Sequence, residues 1–219
     1  MSIADRKERE RQEMRQGILQ AAAHLFVTEG FSKTTIRAIA SEIEYSPGTI
    51  YTYFKDKQEI LNALFHQFFD ELNIALRTAG EAVESTNRLT AIGRAYIDFA
   101  LQNPEHYELM FLMNHERLDK KLPDLSTEVD CRDADTGKKI ESAQDSGSFQ
   151  YMQEAIQLAI QSGRQPRYDL HTSTLLAWSL VHGIVALHIR GFLEMYPPDY
   201  LQTMIHHAVD GISSSIFLD

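Results

Sequence analysis

The residues best suited to chemistry lie together between 30 and 57, where the chain reads GFSKTTIRAIASEIEYSPGTIYTYFKDK. Ser46, Thr49 and Thr52 carry short hydroxyl side chains, Gly48 carries none, and Tyr51 carries a phenol. Hydroxyls and a phenol at this spacing can hydrogen-bond phosphate oxygens and base edges, and a glycine among them lets the backbone approach a duplex closely. Thr35 and Ser46 sit where helices can begin, and the exposed N–H groups at such starts suit phosphate oxygens. Lys55 and Lys57 follow where a nucleic-acid backbone would pass. The chemistry of catalysis is not visible. The chain has no glycine-rich phosphate loop, no His-Glu-x-x-His and no nucleophile elbow, so a helical enzyme is the weaker alternative.

The elements that must position these residues are helices. Thr35 can cap a helix whose apolar face is Ile36, Ile39, Ala40 and Ile43. Glu44-Tyr45 makes a tight turn, Ser46 caps the next helix, and Pro47 at its first position has the fixed φ that position needs. Ile39, Ile43, Tyr45, Ile50 and Tyr53 are spaced to close a small core between two crossed helices, which is a helix-turn-helix. Before it, Ile18, Ala22, Leu25 and Phe26 mark one helix face, with Gly30 as its stop. After Asp56 a long helix runs through Ile60, Leu64, Phe65, Phe68 and Leu72 to near Gly80. Further helices are expected at about 87–102, 104–114, 148–162, 168–194 and 198–216. A polar, acidic loop is expected between Asn114 and Ser148. The fold class is all-α: a three-helix N-terminal domain and a larger helical body.

Charge separates the two. The chain has a net charge of −10, yet residues 1–57 carry nine Lys/Arg against eight Asp/Glu, and the remainder twelve against twenty-three. Any contact with nucleic acid therefore belongs to the first quarter, and the acidic rest should face away from phosphate. The single cysteine, Cys131, excludes an intrachain disulfide, and its acidic setting argues against a redox switch. The charged start is not a secretory signal, so a cytoplasmic location is expected. Leu170–Ile189 is twenty residues without Asp, Glu, Lys or Arg, long enough for a bilayer, but it holds His171, His182 and His188. A helix buried in a soluble dimer is the expected reading, with no membrane partner.

The 30–57 segment resembles the DNA-binding domain of the tetracycline-repressor (TetR) family. The match runs through Gly30, Phe31, Thr35, Ile36, Arg37, Ile39, Ala40, Ser46, Gly48, Thr49, Ile50, Tyr51, Tyr53, Phe54 and Lys57. The resemblance implies that Ser46–Tyr53 is a recognition helix and that Thr35, Tyr51, Tyr53 and Lys57 meet phosphates. Arg37, Pro47 and Thr52 complete the expected DNA-binding set. The family has glycine where this chain has Glu44, and valine where it has Tyr45. A left-handed turn there would cost Glu44 about 1 kcal/mol. Loss of DNA binding, leaving a helical adaptor, is the alternative that Glu44 supports.

The C-terminal region, apart from residues 115–148, resembles a TetR effector-domain subgroup named for a Trp-His-Gly signature, through Asn103–Phe111 and through Trp178, His182 and Gly183. These resemblances imply an N-terminal arm at 1–13, a DNA-binding domain at 14–57 and an effector-binding, dimerisation domain at 58–219. They imply a homodimer on palindromic operator DNA, acting as a repressor and released by a small, mostly apolar ligand; an activator or a ligand-insensitive regulator is the other reading. The ligand pocket is expected among Tyr107, Met110, Phe111, Tyr151, Trp178 and His182. For Trp178 and His182, four apart and on one face, a satisfied core or interface histidine is the plainer alternative, with Gly183 a close packing point. The histidines show no i, i+4 metal pair, and neither metal nor cofactor is expected. The arm, with acids beside its basic residues, reads as a solvated helix extension more readily than as a minor-groove contact.

Overall fold

The computed structural model describes residues 3–112 and 147–218. The expected loop between Asn114 and Ser148 therefore lies, up to residue 146, outside the described residues, and Cys131 with it. The described residues form an all-α fold, in the order α1 (Ile3–Thr28), α2 (Ile36–Glu42), α3 (Pro47–Tyr51), α4 (Lys57–Glu81), α5 (Arg88–Gln102), α6 (Pro104–Tyr107), α7 (Gly147–Gln161), α8 (Leu170–Ile189) and α9 (Pro198–Ile216). They contain no strand; one isolated antiparallel bridge pairs Pro166 with Phe217.

The chain forms two compact units. The first holds the described residues up to Phe68 together with 105–112, and the second holds 69–104 and 147–218. Helix α4 is continuous through the division.

In the first unit, α1 buries Ile18, Leu19, Ala22 and Phe26 completely, one residue in three or four, as the sequence spacing dictates. Full burial of each large side chain contributes about 1.5–3 kcal/mol. The first ten described side chains of α1, residues 4–13, are all exposed. Within them Arg6 pairs with Glu10 at 3.5 Å and Arg9 with Glu13 at 3.4 Å. The expected arm is thus a solvated extension of α1. Helix α6 runs directly into a π-helical turn, Glu108–Leu112, whose Leu109 and Met110 are fully buried. This turn packs on α1. Nearby, His24 Nδ1 lies 3.2 Å from Glu105 Oε1.

In the second unit α5 lies against both α8 and α9. The approach to α9 is possible because residue 93 is glycine: a Cβ there would stand 2.7 Å from Ile212 Cδ1 and 3.3 Å from Val209 Cγ1. Helix α8 is shorter than the 168–194 expected. Asp169 starts it by accepting the Thr172 amide at 3.0 Å. Gly191, at φ +76, stops it although apolar residues continue at Phe192 and Leu193.

Candidate functional site

The helix-turn-helix is set by two caps and one left-handed residue. Thr35 accepts the Ala38 amide at 3.1 Å, and α2 then buries Ile39 and Ala40. Glu44 lies at φ 60, the left-handed conformation expected from its place in the turn. The turn closes through Glu44 N–H to Ser41 O at 3.1 Å and Tyr45 N–H to Ala40 O at 2.8 Å. Ser46 then caps α3 through the Thr49 amide at 3.2 Å, with Pro47 in the first turn. Ile50 is the buried anchor of α3, and Phe54 is buried just beyond it, with the Arg15 guanidinium 5.1 Å above its ring.

Of the expected core residues, Ile39 and Ile50 are fully buried while Ile43 and Tyr53 are half-buried. Tyr45 is a correction: it is 51 % exposed. The turn draws its amide onto α2 and leaves the ring outside. Tyr45 thus joins Tyr51, which is 58 % exposed, as an aromatic side chain open to a partner. Only the αL turn before it could have signalled this in the sequence.

Thr35, Arg37, Ser46, Gly48, Tyr51 and Thr52 are exposed; Pro47, Thr49, Tyr53 and Lys57 are half-buried. The hydroxyls are partly engaged already. Those of Ser46 and Thr49 lie 3.1 Å apart, and Thr52 donates to Thr49 O at 2.7 Å. Their lone pairs remain for donors, and the Tyr51 phenol stands out from the surface. The last residue of the set, Lys57, already has partners within the chain. Lys57 Nζ donates to the carbonyls of Phe31 at 2.7 Å and Thr34 at 3.2 Å, with that of Ser32 at 3.4 Å. It also lies 4.4 Å from the centre of the Phe31 ring. The start of α4 is fixed by Asp56, which accepts the Glu59 amide at 2.9 Å, while Glu59 reaches back to the Lys55 amide at 2.6 Å.

A helix-turn-helix whose polar face is open, carried on an all-helical chain, is matched by the comparisons with known proteins. The profile of bacterial regulatory proteins of the tetR family covers residues 18–64. The tetracyclin repressor-like C-terminal domain covers residues 89–212, more than half the chain. The chain belongs to the TetR family. Proteins of this family are transcriptional regulators, and residues 18–64 carry the family's DNA-binding helix-turn-helix. Among its relatives, the HTH-type transcriptional regulator YobS of Bacillus subtilis is 25 % identical over 114 residues, 52 % of this chain and 58 % of that one. The chain spans about half the length of the curated relatives it matches. In fold, it superposes on a TetR family transcription regulator from Marinobacter aquaeolei VT8 with a TM-score of 0.64, at 18 % identity, covering 96 % of this chain and 100 % of that one. The ketosteroid transcriptional regulator KstR2 of Mycobacterium tuberculosis gives a TM-score of 0.66 at 17 % identity, covering 94 % and 96 %.

The residues expected to line a ligand pocket in this TetR-family chain fall in both units. In the first, Tyr107 and Met110 are buried. Phe111 packs its ring against Tyr107 at 4.9 Å and Phe68 at 5.9 Å. In the second, the Trp178 and His182 rings are 4.9 Å apart, and His182 Nδ1 lies 3.4 Å from the Tyr96 hydroxyl. Burial pushes the His182 pKa below its ordinary value, favouring a neutral imidazole. Tyr151 is buried beneath the Arg77 guanidinium, 4.5 Å from its ring, and its hydroxyl has no hydrogen-bond partner among the described residues. Burial raises its pKa, an effect the Arg88 charge opposes. A groove of about 280 Å³ in the second unit lies elsewhere, lined by Ile97, Leu101, His188, Leu201 and Ile205 among others. Among the described residues nothing lies within 4 Å of a would-be Cβ at Gly183, so they do not pack against it.

Proposed function

We propose that this TetR-family chain works as a homodimeric repressor that holds a palindromic operator and releases it on binding a small, mostly apolar ligand. The observation that carries the dimer is α8. It is the helix apolar and long enough to cross a membrane, yet only 28 % of its apolar window is buried within the chain. Leu175, Leu176 and Leu187 are exposed along it, and Gly183 on α8 and Gly211 on α9 both face open space. A second copy laid on α8 and α9 would bury that surface in an isologous helix interface, with the glycines allowing close approach. Light scattering at micromolar concentration should give twice the 25.0 kDa chain mass. A monomer would end the proposal.

The DNA-binding surface is assigned to Thr35, Arg37, Ser46, Pro47, Gly48, Thr49, Tyr51, Thr52 and Tyr53, with Lys57 treated separately below. A twofold dimer would place the two α3 helices on half-sites about 34 Å apart. A footprint on the DNA upstream of the chain's own reading frame would show this spacing. Thr49→Ala should then change base preference, whereas Arg37→Ala should weaken all sequences alike.

For the ligand, the support is the Trp178–His182–Tyr96 group and, separately, the buried Tyr151: aromatic rings, an imidazole that burial keeps neutral, and a hydroxyl without a hydrogen-bond partner among the described residues. Aromatic rings with a few polar groups are the chemistry that suits a mostly apolar ligand. Tyr107, Met110 and Phe111 were expected beside them; their surroundings in the first unit are those given above.

A further inference from the structure

We propose that Lys57 is a positioning residue for DNA binding: its ammonium ties down the loop between α1 and α2, and the phosphates are met by other cations. This rests on the DNA-binding reading above. An ammonium has three donors and no acceptor. Those of Lys57 face the carbonyls of Phe31, Thr34 and Ser32 at 2.7, 3.2 and 3.4 Å, and the charge also lies over the Phe31 ring.

The loop's own bonds converge on a different atom. Gly30 O accepts the amides of Lys33 at 3.2 Å and Thr34 at 3.1 Å, and the Thr34 hydroxyl at 3.0 Å. Lys57 therefore supplies the donors for the loop's other face. Phe31 is buried and its ring meets Phe26 at 5.0 Å, so the cage is fastened to α1. Thr35 and the exposed Arg37 follow this loop directly, so the entry of α2 is held between α1 on one side and the first residue of α4 on the other.

A lysine turned outward to phosphate would surrender this cage. The exposed Lys33, Arg37 and Lys55 can reach phosphate without that loss.

The test compares Lys57→Met with Arg37→Ala, using a duplex taken from DNA immediately upstream of the chain's reading frame. Lys57→Met keeps the apolar stem and removes the charge. It should weaken binding about tenfold at every salt concentration and leave the slope of log K against log[salt] unchanged. Arg37→Ala should flatten that slope by about 0.9. In the DNA-free protein, Lys57→Met should speed hydrogen exchange at the Lys33 and Thr34 amides about tenfold. A slope reduced by about 0.9 in Lys57→Met, with exchange unchanged, would overturn the proposal. Should that variant not fold, nitrogen-15 NMR of the lysine ammonium groups in the unaltered protein decides. A slowly exchanging Lys57 signal, present without DNA and unmoved when the duplex is added, supports the clamp. A signal that is absent until DNA arrives, or that shifts with it, refutes the clamp. A duplex that does not bind counts against the operator reading, while the DNA-free measurements still judge the clamp.

Discussion

Glu44 shows how a single residue can carry strain beside a binding surface. At φ 60 its Cβ crowds the following carbonyl, which costs about 1 kcal/mol that a glycine would not bear. Glu44→Gly is expected to raise stability by up to that amount, whereas Glu44→Ala, with the same Cβ, should leave it unchanged; paired urea melts would show it. If alanine stabilises as much as glycine, the strain account fails. Both variants should tighten DNA binding, since both remove an acid from the turn.

His182 offers a second test at this scale. Its unfolded pKa is about 6.5, and burial lowers the folded value. Between the two values the unfolded chain holds more protons. The contribution is therefore whole above about pH 6.5 and is lost as pH falls through the folded value. His182→Gln should flatten the fall in urea midpoint between pH 7.5 and 5.5, and parallel profiles for the two proteins would refute it. The caps at Thr35 and Ser46 and the turn at Glu44 were legible in the sequence because each is decided within three or four residues. The surroundings of Lys57 were not, since its partner Phe31 lies 26 positions away and nothing local announces it.

Among elements, apolar periodicity placed α4, α5, α7 and α9 to within a residue or two, and the end of α1 before Gly30, because each is an amphipathic or capped helix with a clear stop. It overran at α8, where apolar residues persist past Gly191 and hydrophobicity alone does not reveal a left-handed stop. It also missed the π-helical turn at Glu108–Leu112, whose widened register answers to packing and not to pattern. The α5–α9 contact depends on the missing side chain of Gly93. Gly93→Val should cost roughly 1–3 kcal/mol through overpacking against Ile212 and Val209. Gly183→Ala meets nothing among the described residues and, inside a helix, should stabilise the isolated chain by about 0.5–1 kcal/mol. In a dimer closed on that face it should raise the dissociation constant. Thermal melts and a dilution series separate the two effects.

At the scale of the whole molecule, regulation is a matter of linked equilibria. A ligand shifts DNA binding only by the difference between its affinities for the operator-bound and operator-free forms. A hundredfold induction needs about 2.7 kcal/mol of coupling, and the operator must weaken the ligand by the same factor. Titrating one candidate ligand with and without operator checks this; equal affinities would remove that molecule as an inducer, however tightly it binds.

The first unit is not one stretch of chain. Its core includes Leu109 and Met110, and the rings of Tyr107 and Phe111 set against Phe68, all but Phe68 contributed by residues that return to it after α5. Modular engineering meets a constraint here. A chimera made by cutting in α4 and grafting this DNA-reading head onto another body would leave 105–112 behind. Its head would show Phe68 and the 109–110 contact surface on α1 to water. Such a head should melt earlier and bind hydrophobic dyes, and only a graft that carries both pieces of sequence should behave as a portable part.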